Sequence, residues 1–280
     1  MLRLNKYFTL LLFLISLSLS NQVLAAPDSE LWGKWASHDA NSIQTIDHSQ
    51  WDGLTRRFVT PAIDGINRFA YSEFKVADRR MLQDYILALS KTPISQFKRD
   101  EQLPFWINLY NAVTVNVILD NYPVASIREI RSGFFSPGPW NKKLVEVEGE
   151  NMTLNDIEHR VLRPIWQDAR IHYAVNCASI GCPNLQFKAF TADNTELMLE
   201  VASVEFINHP RAVLVKNGKL RVSSIYNWYK ADFGGSDASV IDHLLQYAKP
   251  TLADQLGNIE SIDNDDHYDW GVNSLNSPQP

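Results

Sequence analysis

Three short stretches hold side chains whose types and spacing could do chemistry together. The densest is His172-Tyr-Ala-Val-Asn176-Cys177-Ala-Ser179-Ile-Gly181-Cys182-Pro183, which holds both cysteines of the chain. The Cys-x4-Cys spacing admits three chemistries. In an oxidising compartment a disulfide between Cys177 and Cys182 is the expected state. Gly181 makes the tight reversal feasible, provided the two alpha carbons come within about 4.4–6.8 Å. A catalytic thiol is the second option: Pro183 suits a first helical position, which would put Cys182 at a helix N-terminus, where a thiolate is stabilised. A zinc site from Cys177, Cys182 and a histidine matches no standard paired spacing, so no metal ligand is assigned. If the segment before Cys177 runs as a strand, His172 and Asn176 project to the same side.

The second stretch is Asp156-Ile-Glu158-His159-Arg160-Val-Leu-Arg163. At i, i+4, His159 and Arg163 share a helical face, with Glu158 beside them. A carboxylate, an imidazole and a guanidinium together suit acid–base work or anion binding. They suit a structural ion-pair network equally, and that is the favoured reading. The third stretch carries Asn108 and Asn111, at i, i+3 on a helix that is apolar nearly all round. A buried amide without partners costs about 1–3 kcal/mol. Both asparagines are therefore expected to tie neighbouring loops to the helix, with ligand contact as the alternative. No Gly-rich phosphate loop, G-x-S-x-G elbow or H-E-x-x-H pair occurs, and no cofactor is expected.

The elements that must position these groups are mostly helical. Met81, Leu82, Tyr85, Ile86 and Leu89 give an amphipathic period, with Asp78 placed to cap and Thr92-Pro93 to end the helix. A longer, buried helix is predicted from Glu101 to Asn121, with Pro104 tolerable in its first turn and Tyr122-Pro123 as its stop. Gly and Pro make 131–142 a loop. A hairpin follows around Gly149-Glu150, with Gly first in the turn. Thr153 to Asp156 is a capping-box-like start to a helix closed by Pro164. Ile171 to Asn176 reads as a strand, and Leu197 to Asn208 as a helix. Val213 to Ser223 is a hairpin around Asn217-Gly218, and helices follow at Ile225 to Ala231 and Val240 to Ala248. Strands arrive in hairpins rather than alternating with helices. That predicts an α+β fold, a mainly helical single domain with a small antiparallel sheet.

With 45% apolar residues in 280, the chain can bury a full core, and its 21% charged residues fit an ordinary globular protein. Residues 1–25 read as a signal peptide: Arg3 and Lys6, an apolar run from Tyr7 to Leu19, and small residues before cleavage after Ala25 or Ala26. Residues 26–50 form a polar, surface-bound lead-in. A periplasmic or secreted protein with no membrane span in the mature chain is expected. The net charge of −6 becomes more negative once Arg3 and Lys6 leave, which argues against nucleic acid as a partner.

Several segments together resemble a known family. Phe105-Trp-Ile-Asn-Leu-Tyr-Asn-Ala112, Tyr122-Pro123-Val-Ala-Ser126-Ile127, Ile157-Glu-His159 to Leu162-Arg163, Asn176-Cys177-Ala-Ser to Cys182-Pro183, Phe206-Ile-Asn208, and Trp228-Tyr229 to Asp232-Phe233 are similar to the domain-of-unknown-function 547 (DUF547) family. Tyr268-Asp-Trp270 resembles the C-terminal signature of its exported bacterial members. The likeness runs in order across 51–276, which makes that stretch a single family domain. It implies no established reaction. Similar domains in plants and animals are fused to leucine-zipper-type, DEP or glutaredoxin-like segments, which implies interaction roles there. Some eukaryotic members lack the two thiols, which implies a compartment-specific disulfide here. Gly271-Val-Asn-Ser separates Trp270 from Leu275-Asn276, where a shorter spacing is usual, so the resemblance does not by itself imply that the tail docks.

Two functions follow as expectations. One is an exported module that binds an envelope ligand or protein through groups such as Asn108, Asn111, Arg163 and Asn176, closed by the Cys177–Cys182 bridge. The other is an envelope hydrolase or transferase with Cys182 or Cys177 as nucleophile, His159 or His172 as base, and Glu158 or Asn176 orienting that base. The first is preferred, because the second needs a reduced thiol outside the cytoplasm. Either way, His159, Arg163 and the His172–Cys182 segment are expected to meet in one polar network.

Overall fold

The computed structural model describes residues 27–131, 133, 137–263 and 268–276. The signal segment at 1–25 and part of the 131–142 loop lie outside them. Three helices build the main core: α1 (Ser49–Phe58), α2 (Val76–Ser90) and α3 (Arg99–Asn121). Helix α3 is the spine. Its apolar residues point in every direction, so it is stable only when covered on all sides, and it is buried from Pro104 to Val115. The helix starts before the expected Glu101, so Pro104 lies inside it, past the first turn, and its missing N–H leaves the Asp100 carbonyl without its helical partner; the chain leaves α3 before Tyr122-Pro123. Helix α2 packs Leu82, Tyr85 and Leu89 inward, and Asp78 accepts the Lys75 N–H at its start. Met81 departs from the predicted apolar face and is 38% exposed.

The lead-in does not stay on the surface throughout. Trp35 is only 2% exposed and stands edge-on to Trp106 of α3, with ring centroids 5.0 Å apart. Its backbone also completes the next helical run. That run begins at α4 (Leu154–Ile157), where Thr153 and Asp156 form the predicted capping box. It widens into a π-helical turn over Glu158–Leu162 and continues as α5 (Arg163–Trp166). Pro164 therefore does not end the helix. Having no N–H, it leaves the Arg160 carbonyl free, and the Trp32 N–H takes that carbonyl at 2.9 Å. In the π turn Arg163 N–H reaches Glu158 O, which frees the His159 carbonyl for the Glu30 N–H at 3.0 Å.

The strands form three small sheets rather than one. β1 (Val59–Pro61) pairs with β2 (Asn67–Phe69), and β3 (Val145–Val147) with β4 (Glu150–Met152), both antiparallel. β5 (Val213–Lys216) and β6 (Lys219–Val222) make the predicted hairpin, and β7 (Ile262–Asp263) joins β6 in parallel. Both hairpin turns place two residues at positive φ: Glu148 and Gly149, with Gly second rather than first, and then Asn217 and Gly218. The stretch read as a strand, Ile171 to Asn176, is a one-turn helix, α6 (Ile171–Ala174), and only Val175 onward is extended. Four residues without clear alternation fit either state, and burial on all sides decides for the helix. α7 (Thr195–Ile207) agrees with expectation, whereas the helix expected over Ile225 to Ala231 divides into α8 (Ser224–Trp228) and a 3-10 turn at Lys230–Phe233. α9 (Asp237–Tyr247) and α10 (Pro250–Leu256) complete the chain's helices among the described residues.

The fold is a mainly helical α+β single domain with small sheets. Its core has a large part around α3 and a smaller part around α7, α9 and the β5–β6 hairpin. The Cys177 segment lies on the seam: Ile171, Ala174, Val175 and Ala178 pack into the large part, and Tyr173 into the small one. No described helix is long and apolar enough to cross a membrane.

Candidate functional site

Two asparagines on the spine hold the loops that carry the site. Asn108 Nδ2 donates to Phe190 O at 2.7 Å, and Phe190 N–H donates back to Asn108 Oδ1 at 3.1 Å. Asn111 does the same for the thiol segment, donating to Ala174 O at 2.9 Å and accepting from Asn176 N–H at 2.8 Å. Asn176 then clamps the loop itself. Its Nδ2 donates to Pro183 O at 2.7 Å, and its Oδ1 accepts the Ala178 N–H at 2.8 Å.

That clamp brings the cysteines together. Cys177 N–H donates to Cys182 Sγ at 2.9 Å, and the two sulfurs are 2.8 Å apart. Both are free thiols in contact, not joined by the ~2.05 Å bond of a disulfide. The left-handed residue of the reversal is Ala178, with φ of 59°, rather than Gly181. Gly181 is small for another reason. A Cβ there would stand 2.8 Å from the backbone N of Asp269, because the C-terminal tail runs alongside.

The tail docks along the thiol loop. Ile180 N–H donates to Gly271 O, Gly181 N–H to Asp269 O and Asn273 N–H to Ala178 O, at 2.8, 2.8 and 3.0 Å. Phe69 N–H donates to Asn273 O on the other side, at 2.8 Å. The wide Gly271–Ser274 spacer is thus itself the docked strand. It sets the Tyr268 hydroxyl 3.0 Å from both Cys177 Sγ and Ser179 Oγ. Trp228 and Trp270 stack at 5.5 Å and continue this aromatic edge, with Trp140 beyond them at 5.7 Å.

The two sulfurs differ in character. Burial opposes ionisation of Cys177, but hydrogen bonds from Cys182, Ser179 and Tyr268 outweigh it and hold this thiol below its usual range. Burial and the neighbouring Cys177 push the Cys182 thiol well above its usual range. No helix starts at Pro183, so the helix-terminus argument for Cys182 falls. Cys177 is the more acidic thiol, on the less buried of the two residues.

The π turn presents Glu158, His159 and Arg163 to the seam. Arg163 forms a fork with Asp232, Nε to Oδ2 at 2.6 Å and Nη2 to Oδ1 at 3.1 Å. Its Nη1 donates to Pro27 O and contacts His159 Nδ1 at 3.1 Å. His172 Nε2 meets Asp232 Oδ2 at 2.7 Å, and its Nδ1 lies 3.8 Å from Glu158. The Tyr229 ring stacks on His172 at 4.0 Å. Burial opposes the Asp232 charge, yet His172 and Arg163 hold its carboxyl far below the usual range. Burial keeps His159 below the ordinary histidine value in spite of Glu158.

His159, Arg163 and His172 therefore share one network, and it adjoins the thiols. The hydroxyls of Tyr229 and Tyr110 both feel the Glu158 and Cys177 charges. Neither imidazole hydrogen-bonds a sulfur, however: His172 is engaged with Asp232 and His159 with Arg163. The side chains that complete the site, Asp232, Tyr229 and Tyr268, were visible in sequence only as parts of the resemblance, with no chemistry attached. No group of three or more His, Cys, Asp or Glu suited to a metal occurs among the described residues.

No curated protein and no solved structure matches the chain. Residues 94–207, the stretch holding Asn108, Asn111, the π turn, His172, Asn176 and both cysteines, match the model of the family described as protein of unknown function, DUF547.

Proposed function

We propose that the protein is an exported, thiol-dependent transferase whose nucleophile is Cys177. The observation that carries this reading is the unequal pair: Cys177, a half-buried residue whose sulfur has three hydrogen-bonding partners, beside the buried Cys182. A thiolate, not a thiol, is the attacking species, and donors around the sulfur favour it. The Tyr268 hydroxyl, itself accepting from Ser179 Oγ, and the Ser179 backbone N–H supply those donors where a histidine base was expected. The aromatic edge of Trp228, Tyr268 and Trp270 offers the adjacent surface for an apolar part of the substrate. Arg163 is neutralised by Asp232, so the network of Glu158, His159 and His172 orders the seam rather than capturing an anion. The apolar run and small residues at 1–25 support the exported location.

The 2.8 Å contact between the sulfurs also favours a second reading, a binding module closed by a permanent bridge. One experiment separates the two. Protein taken from the exported fraction is treated briefly with a mild thiol reductant in its native state, then alkylated between about pH 5 and 10. We expect Cys177 to label first, with a midpoint below the ~8.5 of a free thiol, and Cys182 to stay unlabelled until denaturation. If both sulfurs resist until the protein is denatured and strongly reduced, the permanent bridge replaces the nucleophile.

A further inference from the structure

The loop that follows the buried sulfur holds a cation that the site described so far does not use. Arg211 follows α7, and its Nη2 donates to Asn184 Oδ1 at 2.8 Å, two residues past Cys182. Its Nε and Nη1 are shielded from solvent and have no hydrogen-bond partner. The carboxylate in its surroundings, Asp64, is already paired with the fully buried Arg68 at 2.7 Å. Asp64 is thus taken up by Arg68, and no carboxylate pairs with Arg211 among the described residues. Stacking over the Phe206 ring at 5.4 Å supports the Arg211 plane but does not neutralise it. Burial lowers its pKa to about 10, and the first charge to oppose that shift is a Cys182 thiolate. An orphaned buried cation is costly unless an anion forms beside it during function.

Resting on the Cys177 nucleophile of that reading, with thiol–disulfide exchange in place of net group transfer, we infer that its substrate is a disulfide, that Cys182 is the resolving thiol, and that Arg211 stabilises the thiolate formed on Cys182. In the first step the Cys177 thiolate attacks one sulfur of the substrate RS–SR′. A Cys177–SR bond forms, the S–S bond breaks, and R′S⁻ leaves and takes a proton from water. Cys182 then loses its proton and attacks Cys177 Sγ. The Cys177–Cys182 bond forms, the bond to SR breaks, and RS⁻ leaves with the proton. The substrate disulfide is reduced to two thiols by two electrons, and the protein dithiol is oxidised.

The geometry orders these steps. While Cys177 is anionic, its charge 2.8 Å away suppresses ionisation of Cys182. Once Cys177 is a neutral mixed disulfide that repulsion is gone, and Arg211 remains. The other titratable groups facing Cys182 are the Tyr71, Tyr110 and Tyr268 hydroxyls, which burial keeps protonated. Arg211 is then the positive charge left to favour the second thiolate.

The test uses 5,5′-dithiobis(2-nitrobenzoate), a chromogenic disulfide. Reduced wild-type protein should release two thionitrobenzoate ions per chain in two phases, and the C182S variant one, keeping the mixed adduct by mass. In R211Q the first phase should be unchanged. The second should slow about tenfold at neutral pH, with its pH midpoint raised by about one unit. R211K should restore most of the rate. If R211Q does not fold, N184A, which frees the same guanidinium, should raise the same midpoint. Rapid Cys177 reaction with one ion released and a persistent adduct in wild type overturns the inference and leaves the nucleophile standing. No reaction at Cys177 overturns both. A second phase unchanged in R211Q, or in N184A where R211Q is unfolded, removes the role of Arg211.

Discussion

Hydrogen bonding, not an imidazole, decides which cysteine ionises, and burial decides the state of His48, His159 and His243. His48 shows the second effect most plainly. It is 3% exposed, its Nδ1 meets the Tyr85 hydroxyl at 2.7 Å, and its Nε2 has no partner. Desolvation lowers its pKa to about 4, against only weak support from Asp47. In the unfolded chain the same ring takes a proton below ~6.5. The unfolded state therefore binds more protons between these values, and stability is complete above about pH 6.5 and lost as pH falls towards 4. The loss from His48 alone should be about 3 kcal/mol. Urea unfolding at several pH values checks it: H48Q should flatten this limb, and an unchanged limb would assign it to the other buried histidines, His159 and His243.

At the scale of elements, the helical spine was legible and the irregular pieces were not. The boundaries of α3 follow from apolar residues on every side and from Tyr122-Pro123, both written locally. Thr153 and Asp156 likewise announce α4. The π turn is different, because it depends on residues 130 positions away. Pro164 can stay within the helix only because the Trp32 N–H takes the Arg160 carbonyl. No local period reports such a partner. The same holds for α6, where tertiary burial settles an ambiguous run, and for the cysteine loop, where Asn111 and Asn273 set the shape. The lead-in pairing has a direct test. W32P removes the N–H at a position whose φ of −86° proline nearly tolerates, and W32A keeps it while losing the same ring. W32P should be less stable than W32A by about 1–3 kcal/mol, the cost of an unbonded buried carbonyl. Equal melting curves for the two would show that the lead-in backbone contributes nothing to the helix.

Across the whole molecule, the two ends of the described chain close on the same seam. Pro27 O caps Arg163, and the tail covers Cys177. The site is therefore assembled from residues spread between 27 and 273, which is why the sequence supplied its parts without their arrangement. The tail makes two opposing contributions to the thiol. It shields the sulfur, and through Tyr268 it supplies a hydrogen bond that favours the thiolate. Removing residues 268–280 should separate them in one alkylation profile. Above about pH 9, where most free thiols ionise without help, the truncated protein should label faster than wild type because the cover is gone. Below about pH 7, where labelling is limited by the thiolate fraction, the loss of the Tyr268 donor should offset that gain and move the midpoint up towards ~8.5. Y268F keeps the strand and loses only the hydroxyl, so it should show the raised midpoint without the faster limb at high pH. If Y268F labels like wild type at every pH, the phenol is a bystander, and the acidity of Cys177 rests on Ser179 and Cys182 alone.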